Sequence, residues 1–452
     1  MTFRTEHDAL GAVQVPQQAL WGAQTQRSLE NFKIGPRMPY KVVRVLIGIK
    51  AAAAKVNQQL GKLTPAKATL IQQSCRRLLA TDNRQDFPLV IYQTGSGTQT
   101  NMNVNEVIVH VAAQLNPDLP LHPNDDVNLS QSSNDTFPTA MMIAASLALP
   151  DLLTNLQQVI KSFSKKVTAY QAVIKIGRTH LQDATPLTVG QELSGYQDAL
   201  QHDWEYLQSL IPTLLELPIG GTAVGTGLNA PDGFAAGMVT ALQDAYKLPF
   251  VSAPNKFQGL ANHSGLNVVH GALKTLASDL VKIGNDIRFL ASGPRAGYDE
   301  FNIPANEPGS SIMPGKVNPT QIEALTMVCA RVFGNDTTIT FAASQGNFEL
   351  NVYKPVIIAA FLESVQLLTQ ALASFDQHLL QGLTVNPARI QQLVDHSLMT
   401  VTALTPHIGY EKSAQIALKA QKENSTLKDA ALALGYVTAA EFDQWVDPSK
   451  MV

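Results

Sequence analysis

Apolar residues recur along most of this chain at steps of three and four. Leu266, Val269, Leu273, Leu276, Leu280, Ile283, Ile287 and Leu290 keep an unbroken 3-4-3-4-3-4-3 spacing. That spacing puts one stripe down a long helix, as in the seam of a bundle. Val268, Ala272, Ala277 and Val281 add apolar surface beside it. A helix with more than one apolar stripe needs more than one neighbour, which predicts burial in a multi-helix, oligomeric core. Leu152, Leu153, Leu156, Val159, Ile160, Phe163 and Val167 repeat the pattern, with Lys161, Lys165 and Lys166 opposite. Residues 189–215, 319–345 and 355–380 read as further long helices, and Val42, Leu46 and Ile47 open an alanine-rich one. Strand signals are sparse, so the expected class is all-α. Beyond Leu383 the long repeats give way to short helices, which predicts a small separate helical domain.

Composition narrows the function classes. A chain of 452 residues exceeds one compact core, and two or three domains are expected. A net charge of -3 with 15% charged residues gives no electrostatic argument for nucleic acid or an anionic membrane. Cys75 and Cys329 lie far apart and suggest neither a disulfide framework nor a cysteine metal site. The polar start, Met1 to Glu6, resembles no targeting segment, and no run reads as a membrane span. A cytoplasmic protein is expected.

Several polar stretches are candidates for chemistry. Ser310 and Ser311 lie between Pro308 and Pro314-Gly315, which makes the segment a loop, and a mobile one is expected. Asn318-Pro319 predicts a helix start, with Asn as N-cap and Pro at the first helical position, and Glu323 one turn in. Two hydroxyls, the Lys316 ammonium, the Asn318 amide and a helix N-terminus suit a ligand that carries carboxylates. An ordinary capped loop fits the same residue types. At Gln93–Asn103 a glycine-hydroxyl loop runs into a helix near Asn101, with Ser96 and Thr98 placed as donors to an anion. It lacks the Gly-Lys-Ser/Thr and the preceding apolar strand of a phosphate loop. A further helix N-terminus falls at Ser132-Ser133-Asn134, before the apolar run Met141–Leu149. His122 with Asp125 and Asp126 makes a poor metal site, given Pro123 and no second histidine. His180 lies in a polar stretch between helices, where a lone histidine is more often a satisfied hydrogen-bonder than a catalyst.

The strings themselves say more. G-S-S-I-M-P-G-K-V-N-P (309–319), G-S-G-T-Q-T-N-M-N (95–103) and G-R-T-H-L-Q-D-A-T-P (177–186) resemble the three signature segments of the fumarase/aspartase superfamily. The likeness is to class II fumarases, since Gly315 stands where aspartases usually carry alanine. Gly11–Pro16, Leu20–Ser28 and Gly220–Asn229 look fumarase-like as well, and the resemblance runs from Arg4 to Val452.

That resemblance implies an all-α, three-domain fold: 1–132 N-terminal and mostly helical, 133–385 a central bundle of long helices, 386–452 a small helical domain. The bundle would assemble into a homotetrameric core, with active sites shared between subunits. It also implies reversible anti addition of water to fumarate, giving (S)-malate through an enediolate, with no metal and no organic cofactor. Ser310 would be the base, His180 the group that activates water or protonates the leaving hydroxyl, and Glu323 the support of His180. Substrate binding falls by the same likeness to Ser96, Gly97, Thr98, Ser132, Ser133, Asn134, Thr179, Ser311, Lys316, Val317 and Asn318. His122, Pro123, Asn124 and Asp125 match an accessory dicarboxylate site. Leu119 and Leu129 replace the arginine and lysine common there, so a weak or absent site is expected. Aspartate ammonia-lyase or another fumarate-releasing lyase is the alternative, and a non-catalytic structural relative is the alternative of another class.

Overall fold

The computed structural model describes residues 2–452. A hairpin of β1 (Phe3–Asp8) and β2 (Gly11–Pro16) opens the chain, paired from Phe3↔Pro16 to Asp8↔Gly11. Helices α1 (Ala23–Asn31), α2 (Tyr40–Gln59), α3 (Pro65–Ala80) and α4 (Thr98–Leu115) follow. Ala52, Ala53 and Ala54 are buried on α2, where small side chains let neighbouring helices approach closely. Thr64 caps α3, with Pro65 at its first position. The longest helix, α5 (Ser133–Ala169), leads into a second hairpin of β3 (Ile174–Thr179) and β4 (Gln182–Thr188). After it come α6 (Val189–Leu210), α7 (Phe234–Tyr246), α8 (Lys256–Ala261), α9 (Ser264–Leu290), α10 (Thr320–Ala343) and α11 (Lys354–Phe375).

The helices expected from spacing are present. The run 189–215 ends as a helix at Leu210 and closes with a tight turn, Ile211–Leu214. The run 319–345 is Thr320–Ala343, and 355–380 is Lys354–Phe375 with a wider turn at Asp376–Leu380. Every residue of the 266–290 seam is 5% exposed or less. The fold is mostly helical, as expected, but its strands are all in two-stranded sheets that periodicity did not reveal. In the second hairpin the alternation is too short to stand out: β3 alternates only over Ile174-Lys175-Ile176 before Gly177-Arg178-Thr179, and β4 is mostly polar with Pro186 inside it.

The chain divides into two compact units, Met1–Leu153 with Glu205–Ala277 and Ala330–Leu368, and Thr154–Trp204 with Ser278–Cys329 and Thr369–Val452. Within the second unit, Val401, Leu404, Ile416, Ala420, Leu427 and Phe442 belong to an apolar core of their own. Contrary to the sequence reading, two helical stretches, Ser133–Ala169 and Lys354–Leu380, are long and apolar enough to cross a membrane. Their apolar windows are 78% and 50% buried inside the protein, as in core helices.

Candidate active site

The first polar cluster belongs to the first unit and forms where the starts of α4 and α5 meet. Two glycines make it possible. A Cβ on Gly95 would lie 1.4 Å from the Val352 carbonyl oxygen, and one on Gly97, at φ +78°, would press into the Phe137 ring. Gly97 is the residue before α4, so the helix starts at Thr98 rather than near Asn101. Ser96 Oγ stands 2.8 Å from Thr98 Oγ1, which stands 2.6 Å from Ser133 Oγ. Ser132 Oγ accepts the Asn134 N–H at 3.2 Å, and the Asn134 amide donates to the Ala223 carbonyl at 2.8 Å. Hydroxyls and helix N-termini together make a cradle that can donate to an anion.

Behind this cradle lies Asp135, fully buried. It accepts the backbone N–H groups of Ser132, Gly220 and Thr222 at 3.0, 2.9 and 2.9 Å. Burial pushes its carboxyl above the usual range, against the pull of those bonds and of Lys50. Lys50 is itself pushed down to about 7 by burial and donates to Asn128 and Gln131 at 2.8 and 3.0 Å.

His180 stands at the tip of the β3–β4 hairpin, in the second unit. Thr179 pairs with Gln182, leaving His180-Leu181 as a two-residue turn with φ of 56° and 62°. Positive φ at both positions is the turn that matches the strands' twist, and non-glycine residues accept it only under constraint. The constraint is an ionic anchor at the hairpin's base. Lys175, 1% exposed, donates to Glu192 at 2.8 Å and lies 3.0 Å from Glu300 Oε2, outside hydrogen-bonding geometry. Arg178 donates to the other Glu300 oxygen at 2.5 Å and stacks 4.3 Å over the Tyr298 ring. The histidine, Thr179 and Leu181 are exposed, beside a cleft of about 390 Å³ lined also by Lys282, Asp286 and Phe289.

The Gly309–Pro319 loop closes on itself. Gly309 N–H donates to the Lys316 carbonyl at 2.9 Å, and the Asn318 amide donates to the Gly309 carbonyl at 2.5 Å. Asn318 is therefore not the helix cap the sequence suggested. Its side chain ties the loop, and the Pro319 carbonyl takes the first helical bonds, from Ile322 and Glu323. Ser310 Oγ accepts the N–H groups of Ile312 and Met313 at 3.3 and 3.1 Å. Ser311, Lys316, Val317 and Glu323 are exposed; the apolar neighbours of Glu323 do not bury it in the single chain. Met313, Lys316 and Val317 line a cleft of about 740 Å³, with Phe289 on its wall as well.

One chain thus joins Ser96, Thr98, Ser132, Ser133 and Asn134 at a single place. His180 and the Ser310 loop belong to the second unit, and His180 and Glu323 share no hydrogen bond or ion pair among the described residues. A lyase family pattern matches residues 11–334, and that of the fumarase C C-terminus matches residues 401–452. Class II fumarate hydratases of Ralstonia nicotianae and Listeria monocytogenes are 55% and 56% identical to it, over 100% and 99% of both chains. The chain belongs to the class II fumarate hydratase family. The crystal structure of a class II fumarase from Schistosoma mansoni superposes with a TM-score of 0.96 at 44% identity, covering 100% of this chain and 99% of that one.

Within this fumarate hydratase family frame, the His122 turn is short of free positive charge. His122 Nδ1 accepts the Asp125 N–H at 3.2 Å and lies 3.1 Å from the Asp125 carboxylate. One cation missed in the sequence is close by: Lys67, held to Asp126 at 2.8 and 2.9 Å. The pairing neutralises it. The other missed groups are Asp135, Lys50, Lys175, Glu300, His263 and Lys354. Asp135 and Lys175 adjoin site segments in sequence but carry no pattern of their own, and the other four reach a site segment only through tertiary packing.

Proposed function

We propose that this protein is a fumarate hydratase that adds water reversibly and anti across fumarate to give (S)-malate. The observation that carries this reading is full-length identity of 55–56% to class II fumarate hydratases, with Ser310, His180, Lys316 and the Ser96–Thr98 string intact. Removing water from malate means taking a proton from carbon beside a carboxylate. That carbon is acidic enough only when the carboxylate is held as a doubly charged enediolate by fixed donors. Lys316, Asn318, Thr98, Asn134 and the helix N-termini are assigned that work. Ser310 takes the proton, with Lys316 and the start of α10 favouring its ionised form. His180 serves the hydroxyl, and Glu323 of a neighbouring subunit orients it. No step requires a metal or an organic cofactor.

The site is assembled in a homotetramer from segments of different subunits. Exposed apolar side chains on α9 and α10 support this: Val268, Phe289, Met327 and Phe341 are 46%, 47%, 68% and 59% exposed. Apolar surface of that kind marks an interface. The three-domain division at 132/133 and 385/386 is part of the same reading, supported by the separate core of the last sixty-odd residues; so is a cytoplasmic location. Fumarate absorbance followed with malate, then aspartate, tests the activity. Faster release from aspartate refutes it, and loss on chelation restored by a divalent ion refutes the metal-free part. Mixing His180→Asn with Ser310→Ala and reassembling should restore partial activity; mixed tetramers that stay inactive refute the shared site.

A further inference from the structure

Three buried polar atoms around Asp135 have no hydrogen-bond partner among the described residues: Lys354 Nζ, His263 Nε2 and Thr222 Oγ1. Thr222 gives Asp135 its backbone N–H. Lys354 is an electrostatic neighbour of Asp135, and His263 of Lys354. Lys354 is fully buried at the first turn of α11. Its own N–H donates to the Gly95 carbonyl at 3.0 Å, next to Ser96. Two residues earlier, the Val352 carbonyl is the group against which Gly95 is packed. The lysine's backbone and the Ser96–Thr98 loop are therefore a single packed unit.

An ammonium buried without an anion is strongly unfavourable, so such a group calls for a partner. Asp135 does not balance it. That carboxylate is occupied by three backbone bonds, and Lys50 and Lys256 act on it as well. Three lysines, each lowered toward neutrality by burial, lie near this one carboxylate behind a cradle already made of donors, so an anion entering the cradle favours their charged forms. We propose that Lys354 is a positioning residue whose buried ammonium gives the Ser96–Thr98–Ser133 cradle its preference for dicarboxylates over monocarboxylates. A dianion gains from that potential at both carboxylates and a monoanion at one, the second and more distant carboxylate gaining less than the first. This rests on the reading that the cradle takes a substrate carboxylate. Burial brings the ammonium down to about 7, and His263, pushed to about 3 by burial, stays neutral beside it. The charge that answers the ligand is therefore the lysine's.

The test compares wild type with Lys354→Met, using calorimetric binding of succinate and propionate together with fumarate kinetics. Succinate affinity should fall about tenfold or more, the scale of a charged hydrogen-bonding group. Propionate affinity should fall distinctly less. The KM for fumarate should rise more than kcat falls, and thermal stability should not drop, since an apolar side chain replaces an unpaired charge. Equal weakening of both ligands, or succinate affinity within about twofold of wild type, overturns the proposal and leaves the three atoms as an interior water site. Lys354→Gln is read the same way should the methionine variant not assemble. Because succinate binding needs no turnover, a wild type that binds it but does not hydrate fumarate overturns the hydratase reading alone.

Discussion

Glu300→Gln is the perturbation that most directly probes how the hairpin holds His180. Glu300 and Lys175 are each 1% exposed at the side chain, and Arg178 is 12% exposed. With Glu192 the cluster holds two cations and two anions, so it is neutral. The substitution keeps the shape and removes one negative charge, leaving Lys175 with Glu192 and Arg178 without its carboxylate partner. Breaking a buried pair by removing one partner costs about 3–5 kcal/mol, because the other charge stays buried. The urea midpoint at fixed protein concentration should fall accordingly. Lys175→Met with Glu300→Gln should recover part of the loss, with a coupling of about 0.5–3 kcal/mol in the double-mutant cycle. His180 lies two residues beyond Arg178 at a turn with two positive φ angles. Loosening the base should move the imidazole, and a misplacement of about 1 Å is worth up to about a hundredfold in rate. Turnover should therefore fall more than the KM for fumarate rises. A Glu300→Gln variant with wild-type midpoint and kcat would refute the anchor, and so would a double variant that loses the sum of the two single losses.

Asp203 is pushed up to about 8 by burial, by the neighbouring charge of Asp279 and by hydrogen bonding to it. Its folded pKa lies above the unfolded value, so its proton stabilises the fold at low pH, and that contribution is lost as pH rises from about 4 to about 8. Asp203→Asn should flatten the pH dependence of the urea midpoint across that window; an unchanged slope contradicts it. At the accessory turn, His122→Asn should change turnover little and His180→Asn should nearly abolish it. Asp125 and Asp126 face the first histidine's turn, and Lys67 is already paired. Two comparably crippled variants, or a dicarboxylate well ordered against His122 at low ligand concentration, would reverse that view.

By itself the sequence determined the long helices, because a period of three to four residues needs no knowledge of what lies opposite, while α1, α3 and α7 were not read from it. The 266–290 seam, the three long helices of the central region and the start of α5 all follow from it. It also determined the family, through strings whose glycines serve packing that one chain makes visible, as at Gly95 against Val352. Tertiary structure alone decided the rest. The second hairpin alternates over only three residues, Ile174 to Ile176, and it is anchored by Lys175, Arg178, Glu192 and Glu300, residues up to 125 positions apart. Asn318 has the residue type of a helix cap, yet it serves the loop because the Gly309 carbonyl lies within reach. The lysines behind Asp135 sit at positions 50, 256 and 354. Long-range electrostatics depends on distance in space, and no local pattern in a chain encodes it.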